Sequence, residues 1–376
     1  MRKGAWPMRK LLSFTVLALS FGMVLSPLSL AQGFGSRWRT DFSKHSVPLD
    51  EIISGGPPKD GIPSIDNPKF VSFDEADEWL KDVEPVIILE NKNVARAYPL
   101  QILTWHEIVN DLMAGDPVAI TFCPLCNSAI AFDGRLDGMV YDFGTTGRLR
   151  NSDLVMYDRQ TESWWQQFTG EAIVGELTGK KLKMLPASIV SYADFKRAYP
   201  NGSVLSRDTG FSRPYGRNPY VGYDRIDNTP FLYTGELDRR LLPMERVVAV
   251  TVGDVDKAYP FSVVSEKRVI NDSINGSELV LFHSFGTSSA LDRDDIASSR
   301  DVGATGVFEP YVDGRKLTFV KDGDLIKDKE TGSAWSVLGK AISGSLAGKS
   351  LKPIVHANHF AFVWLAFKPD TLIYKP

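Results

Sequence analysis

"EPVIILENKNVARAYPLQILTWHEIVND" (84–111) lies over "ERVVAVTVGDVDKAYPFSVVSEKRVIND" (245–272) without a gap, with 8 identities in 28 positions. Unrelated segments agree at about one position in fifteen. A second pair, "GEAIVGELTGKKL" (170–182) and "GKAISGSLAGKSL" (339–351), agrees at 8 of 13. Between these blocks "DRQTESWW" (158–165) answers "DKETGSAW" (328–335), in the same order in each half. Self-similarity of this kind is read before any local signal, because it sets the architecture. It predicts two tandem homologous domains from an internal duplication.

Within each copy the local signal is mostly strand. "PVIILE" and "VVAVTV" are short β-branched runs, and "EIVND…PVAITF" reads as two strands around a turn at Ala114-Gly115-Asp116. "GRLDGMVYDF" and "DGRKLTFV" each carry the Asp-Gly pair that favours a hairpin. Two helices are expected. "SFDEADEWLKD" has Ser72 and Glu75 at capping-box spacing, and "SYADFKRAY" (191–199) starts on Ser191. The fold class is therefore a β-rich α+β protein. Its repeat domains are expected at 84–206 and 245–376, after an N-terminal extension at 32–83. Residues 207–244 join them, rich in Pro, Gly and aromatics. Tyr215, Tyr220, Tyr223, Phe231 and Tyr233 predict that this connection packs as a strap over the two domains.

The chain opens with Arg2, Lys3, Arg9 and Lys10, runs apolar from Leu11 to Leu30, and reaches Ser29-Leu30-Ala31. That pattern predicts a signal peptide over 1–31 and export to the periplasm or medium. An uncleaved N-terminal anchor is the alternative, and the only membrane contact expected. Removing those four bases moves the charge from −3 to −7, 39 basic against 46 acidic residues. A mildly acidic chain without a basic run is a poor nucleic-acid binder.

Two copies in one chain separate scaffold from chemistry. "GSLAGKS" (344–350) looks like a phosphate-cradling loop, but it is one residue short between its glycines and copy 1 has "GELTGKK" there. It reads as a turn, so no nucleotide is expected. The shared Asp158/Asp328, Thr161/Thr331, Ser163/Ser333 and Trp165/Trp335 read as a hydrogen-bonded turn anchored by a buried indole. Copy 1 alone has the chain's two cysteines, Cys123 and Cys126 in "TFCPLCNSAIAFD" (121–133), with Ser284 and Thr287 opposite them. It alone has His106, opposite Lys267, and "GTTGRLRNSDLVM" (144–156).

Three readings of the cysteine pair stay open. Two thiolates at this spacing grip one soft ion, copper or zinc, with His106 and Met156 as further ligands. His106 is expected to begin the strand that pairs with the one ending at Cys123. A Cys-x-x-Cys pair also suits a thiol–disulfide oxidoreductase attacking through Cys123, although "NSAIAFDG" reads as a strand where that chemistry favours a helix N-terminus. Thirdly, the pair is structural, and the function is small-ligand binding between the copies. Arg148, Asn151, Ser152, Asp158 and Arg159, with Asp153 and Glu162 beside them, are candidates to line a pocket. His356 and His359, three apart, suit one face of a helix, where a surface pair is the expectation. The chain lacks a Cys-x-x-Cys-His haem motif, a zinc-protease helix and a nucleophile elbow.

"TFCPLCNSAIAFD", "LVMYDRQTESWWQQFTGEAIVG" and "DKETGSAWSVLGKAISGSLAGKSL" resemble the prokaryotic family known as domain of unknown function 3179, from about residue 70 to the end. The resemblance implies that the cysteines and Tyr157 to Ser163 belong to the family pattern. It implies no reaction. Members tend to carry a Phe-Trp-Phe-Ala-Trp-like run where this chain has "HFAFVWLAF" (359–367).

Overall fold

Val86, Ile87, Ile88 and Leu89 are all buried, and Val247, Val248, Ala249 and Val250 repeat the pattern in the second half. Such unbroken apolar runs belong to strands covered on both faces. The strand Pro85–Asn91 sits between Ala187–Ser191 and Val94–Pro99, and Arg246–Val252 sits between His356–Phe360 and Val255–Pro260. Beyond these, Ser203–Leu205 runs parallel to Val94–Pro99, as Leu372–Ile373 does to Val255–Pro260. This computed structural model describes Met1 and residues 38–376, and Arg39–Pro376 packs as one compact unit. Apart from Met1, the expected signal peptide lies outside the described residues.

The correspondence extends to the other sheets. Ile108–Met113, Asp116–Cys123, Ser128–Asp133 and Met184–Leu185 form one sheet, and Val269–Ile274, Ser277–Ser284, Ala304–Glu309 and Lys352–Pro353 form its counterpart. Phe143–Arg150, Asp153–Asp158, Trp164–Gln166 and Glu171–Val174 are matched by Phe319–Asp322, Leu325–Asp328, Ala334–Trp335 and Ala341–Ser343. The two halves share one order of elements and one pairing scheme. Shared side chains hold it in the same way. Asp111 accepts from Arg96 and Tyr98, both at 2.6 Å, and Asp272 accepts from Lys257 at 2.5 Å and Tyr259 at 2.9 Å. One core cluster draws Phe122, Met156 and Trp165 from the first half with Ala249, Phe360 and Trp364 from the second. The protein is β-rich, 41% strand against 12% helix.

The expected capped helices are present as Phe73–Asp77 and Tyr192–Ala198; Ser72 and Ser191 accept the N–H groups of Glu75 and Asp194. Asp137-Gly138 and Asp313-Gly314 turn their hairpins with positive φ at both positions, as a type I′ turn requires. Gly344 and Gly348 of the phosphate-loop look-alike stand at positive φ in a turn.

Three expectations are corrected. Helices Leu100–His106 and Phe261–Lys267 stand where the local signal was mostly strand. Each follows a proline at φ −61°, and each stops at a residue in positive φ, Glu107 or Arg268. Six of the seven residues of Leu100–His106 are buried, so no polar face was left to give a helical period. His106 therefore ends a helix, and the strand begins at Ile108. His356 and His359 lie on the strand His356–Phe360, where positions three apart face opposite sides, and both are buried. No helix among the described residues is long and apolar enough to cross a membrane.

Candidate metal centre

The strand Asp116–Cys123 ends on the first cysteine, Pro124 starts a single 3-10 turn, and Asn127 reverses the chain from the left-handed region. Cys123 and Ser128 then face each other across the hairpin. Both thiols are free and turned inward, 2% and 0% exposed. A second hairpin meets this one. Phe143–Arg150 and Asp153–Asp158 are joined by Asn151 and Ser152, both at positive φ. That turn aims the Ser152 carbonyl at the thiols, which donate to it at 3.4 Å from Cys126 Sγ and 3.9 Å from Cys123 Sγ.

Asp153, the next residue, completes the cluster. One sulfur from each cysteine and one carboxylate oxygen of Asp153 all lie within 4.8 Å of one another. Asp153 Oδ2 accepts from Gln166 Nε2 at 2.6 Å and from the Phe168 amide at 3.0 Å, which fixes the carboxylate. Its Oδ1 is buried with no hydrogen-bond partner among the described residues.

Electrostatics point the same way. Burial lifts the Asp153 carboxyl to about 7 against the bonds from Gln166 and Phe168. Burial, then the charge of Asp153, lifts Glu107 to about 8. Burial pushes the Cys123 thiol up, with Asp153 and Glu107 adding to it, and pushes Cys126 well above the usual range. Four acids thus lie close together, and burial raises every one of them toward its neutral form. A cation that replaced their protons would be bound by the charge that burial now suppresses.

A cavity of about 480 Å³ lies beside the cluster, with Glu107, Leu125, Leu154 and Tyr220 in its wall. The strap closes over it: Tyr223 donates to the Leu125 carbonyl at 3.0 Å, and Ser152 Oγ donates to the Phe231 carbonyl at 2.6 Å.

The other anticipated residues are dispersed. His106 spends Nδ1 on the Pro63 carbonyl (2.7 Å) and Nε2 on the Tyr215 hydroxyl (2.6 Å), so it ties the strap down and is not in the cluster. Met156 is three residues along the strand from Asp153 and so on its opposite face, within the core. Ser152 contributes its carbonyl, and Arg148 lines the 480 Å³ cavity. Asn151 forms the turn and lines a different cavity. Asp158 is wholly buried, accepting from Thr161 N at 2.6 Å and Trp165 Nε1 at 2.9 Å, as Asp328 does from Thr331 and Trp335. Arg159 pairs with Asp66 at 3.1 Å. Asp153 as a thiol partner and Glu107 as their neighbour were missed. The gapless overlay held one signal for the latter, since Glu107 stands opposite Arg268, an acid exchanged for a base in the half without cysteines.

The model of the family described as "Protein of unknown function (DUF3179)" matches residues 59–371, and the chain belongs to that family. No curated protein and no solved structure matches it.

Proposed function

For this member of the family, we propose that Cys123, Cys126 and Asp153 hold one metal ion, zinc before copper, in a protein that binds or delivers it. The observation that carries the reading is three ligand atoms within 4.8 Å of one another in a wholly buried site. Zinc takes thiolate and carboxylate together, whereas Cu(I) prefers sulfur and nitrogen, and neither His106 nor Met156 stands with the sulfurs. Three protein donors leave one position of a tetrahedral ion open, the arrangement of zinc sites that exchange or react. Glu107 lines the 480 Å³ cavity and its charge bears on Cys123, which supports a role in holding the proton of whatever fills that position.

The thiol–disulfide reading is weaker. An attacking thiol needs a lowered pKa and access, and both thiols here are buried and raised. We propose further that the halves descend from one duplicated domain, with repeats over 84–206 and 245–376; the common pairing scheme supports this. The basic, then apolar, N-terminus supports export, which a mature chain beginning at Gln32 would bear out.

The test is metal content by elemental mass spectrometry, on protein purified anaerobically without chelator or affinity metal. About one zinc per chain is expected, lost in Cys126→Ser and reduced in Asp153→Asn. A metal-free wild-type chain that also fails to take up added Zn²⁺ or Cu⁺ would overturn the reading.

A further inference from the structure

A second cavity lies apart from the one that Glu107 lines. A cavity of about 620 Å³ opens between the two halves, with Ile130, Phe168 and Leu182 from the first and Ala249, Trp364 and Phe367 from the second. That volume suits a molecule of roughly drug size. Its wall is an assembly of rings. Phe168 and Phe367 are stacked at 4.6 Å and 17°, Phe168 meets His359 at 4.6 Å, and His359 stacks on Trp364 at 12°. A wall of rings favours a flat apolar guest lying against it.

Three cations line the wall, each with a carboxylate partner: Lys181 pairs with Glu171 at 3.0 Å, Lys368 with Asp256 at 3.1 Å, and Arg150 with Glu51. Arg150 is the best placed. Its guanidinium lies 5.6 Å from the Phe367 ring and pairs at 2.7 Å with Glu51, whose side chain is 44% exposed. Arg150 itself is only 18% exposed, so a ligand anion that displaces the more exposed Glu51 must take its place on the guanidinium. Two wall residues also carry buried polar atoms with no hydrogen-bond partner among the described residues, His359 Nδ1 and Gln166 Oε1.

We propose that this cavity binds a flat, mostly apolar organic acid, its rings against Phe168, Trp364 and Phe367 and its acidic group on Arg150. The site is separate from the thiol cluster and does not depend on a metal there.

The test is calorimetric titration of the full chain with 2-naphthoate and with the neutral 2-naphthalenemethanol. Saturable 1:1 binding of 2-naphthoate is expected, at least ten-fold tighter than the neutral probe. Arg150→Gln should bring the two within about two-fold while the neutral probe still binds, which shows that the variant is folded. Ala366→Trp, which fills the cavity, should abolish both. Should Arg150→Gln lose both probes, Glu51→Gln decides: freeing Arg150 should tighten 2-naphthoate and leave the neutral probe unchanged. No saturable binding, equal affinities in the wild type, a preference that survives Arg150→Gln, or no response to Glu51→Gln would each overturn the proposal.

Discussion

Asp153 shows how much rests on single side chains. Two donors hold one of its oxygens, the other is buried without a partner among the described residues, and the carboxylate stands beside two sulfurs. Asp153→Asn removes the charge a metal would meet and keeps the shape. Zinc affinity should fall at least ten-fold while the metal-free chain becomes no less stable; an equal loss of both would make the residue structural. Glu107 gives a pH prediction. Its folded carboxyl titrates near 8, far above the 4.5 of an unstructured one, so between those values the metal-free folded chain binds the extra proton. Stability then falls as pH rises through that interval. The window to use is pH 6.5 to 8, above the point where unfolded histidines lose their protons, since buried His283 and His359, lowered to about 4 and 3, act in the opposite sense below it. Over that window Glu107 should cost the metal-free chain about 2 kcal/mol, at 1.36 kcal/mol per unit. Denaturant titration of Glu107→Gln should show a flatter profile by that amount. Parallel profiles would contradict the assignment.

At the scale of elements, the cluster depends on two hairpins meeting tip to tip, and the second hairpin has a constraint of its own. The pairing of Phe143–Arg150 with Asp153–Asp158 slips between Thr145 and Arg148, and Gly147 sits in that bulge at φ +70°. A Cβ there would stand 1.9 Å from the Pro57 carbonyl oxygen. Gly147→Ala must therefore shift either the bulge or the Pro57 segment, at a cost of at least about 2 kcal/mol. Chemical denaturation would measure it. Because the bulge feeds the turn that presents Ser152 and Asp153, metal binding should weaken in parallel. A neutral effect on both would show that the hairpin adjusts freely.

For the whole molecule the strap is the decisive element. Asp224 within it has a fully buried side chain and pairs with Arg246 at 2.5 Å and Arg300 at 2.8 Å. Burial alone would raise this carboxyl; Arg246, Ser289 and Arg300 hold it below the usual range. Asp224→Ala leaves Arg246 buried without its partner, which costs about 3–5 kcal/mol. The strap's grip on the second half should loosen with it, read as faster limited proteolysis within 207–244. An unchanged cleavage pattern would mean that the strap is held by its aromatics instead.

Much of the architecture is written locally and in duplicate. Short β-branched strands, the Asp-Gly turns, the two serine caps and the parallel order of blocks need only neighbouring residues, and the structure has each of them. So is the place to look for chemistry: the cysteines stand in one half alone. What neighbouring residues could not decide was anything set by burial. Leu100–His106 is covered on almost every side, so its helical period is erased. Asp153 is thirty residues beyond Cys123 and joins it only because two hairpin tips meet. His106 looked like the third ligand by proximity in the chain, and its ring is taken by Pro63 and Tyr215 from segments forty-three and 109 residues away. Turn and strand preferences are properties of short segments, legible wherever the segment is. Ligand sets and raised acidities come from which distant groups exclude water together, and only the tertiary structure brings those groups to one place.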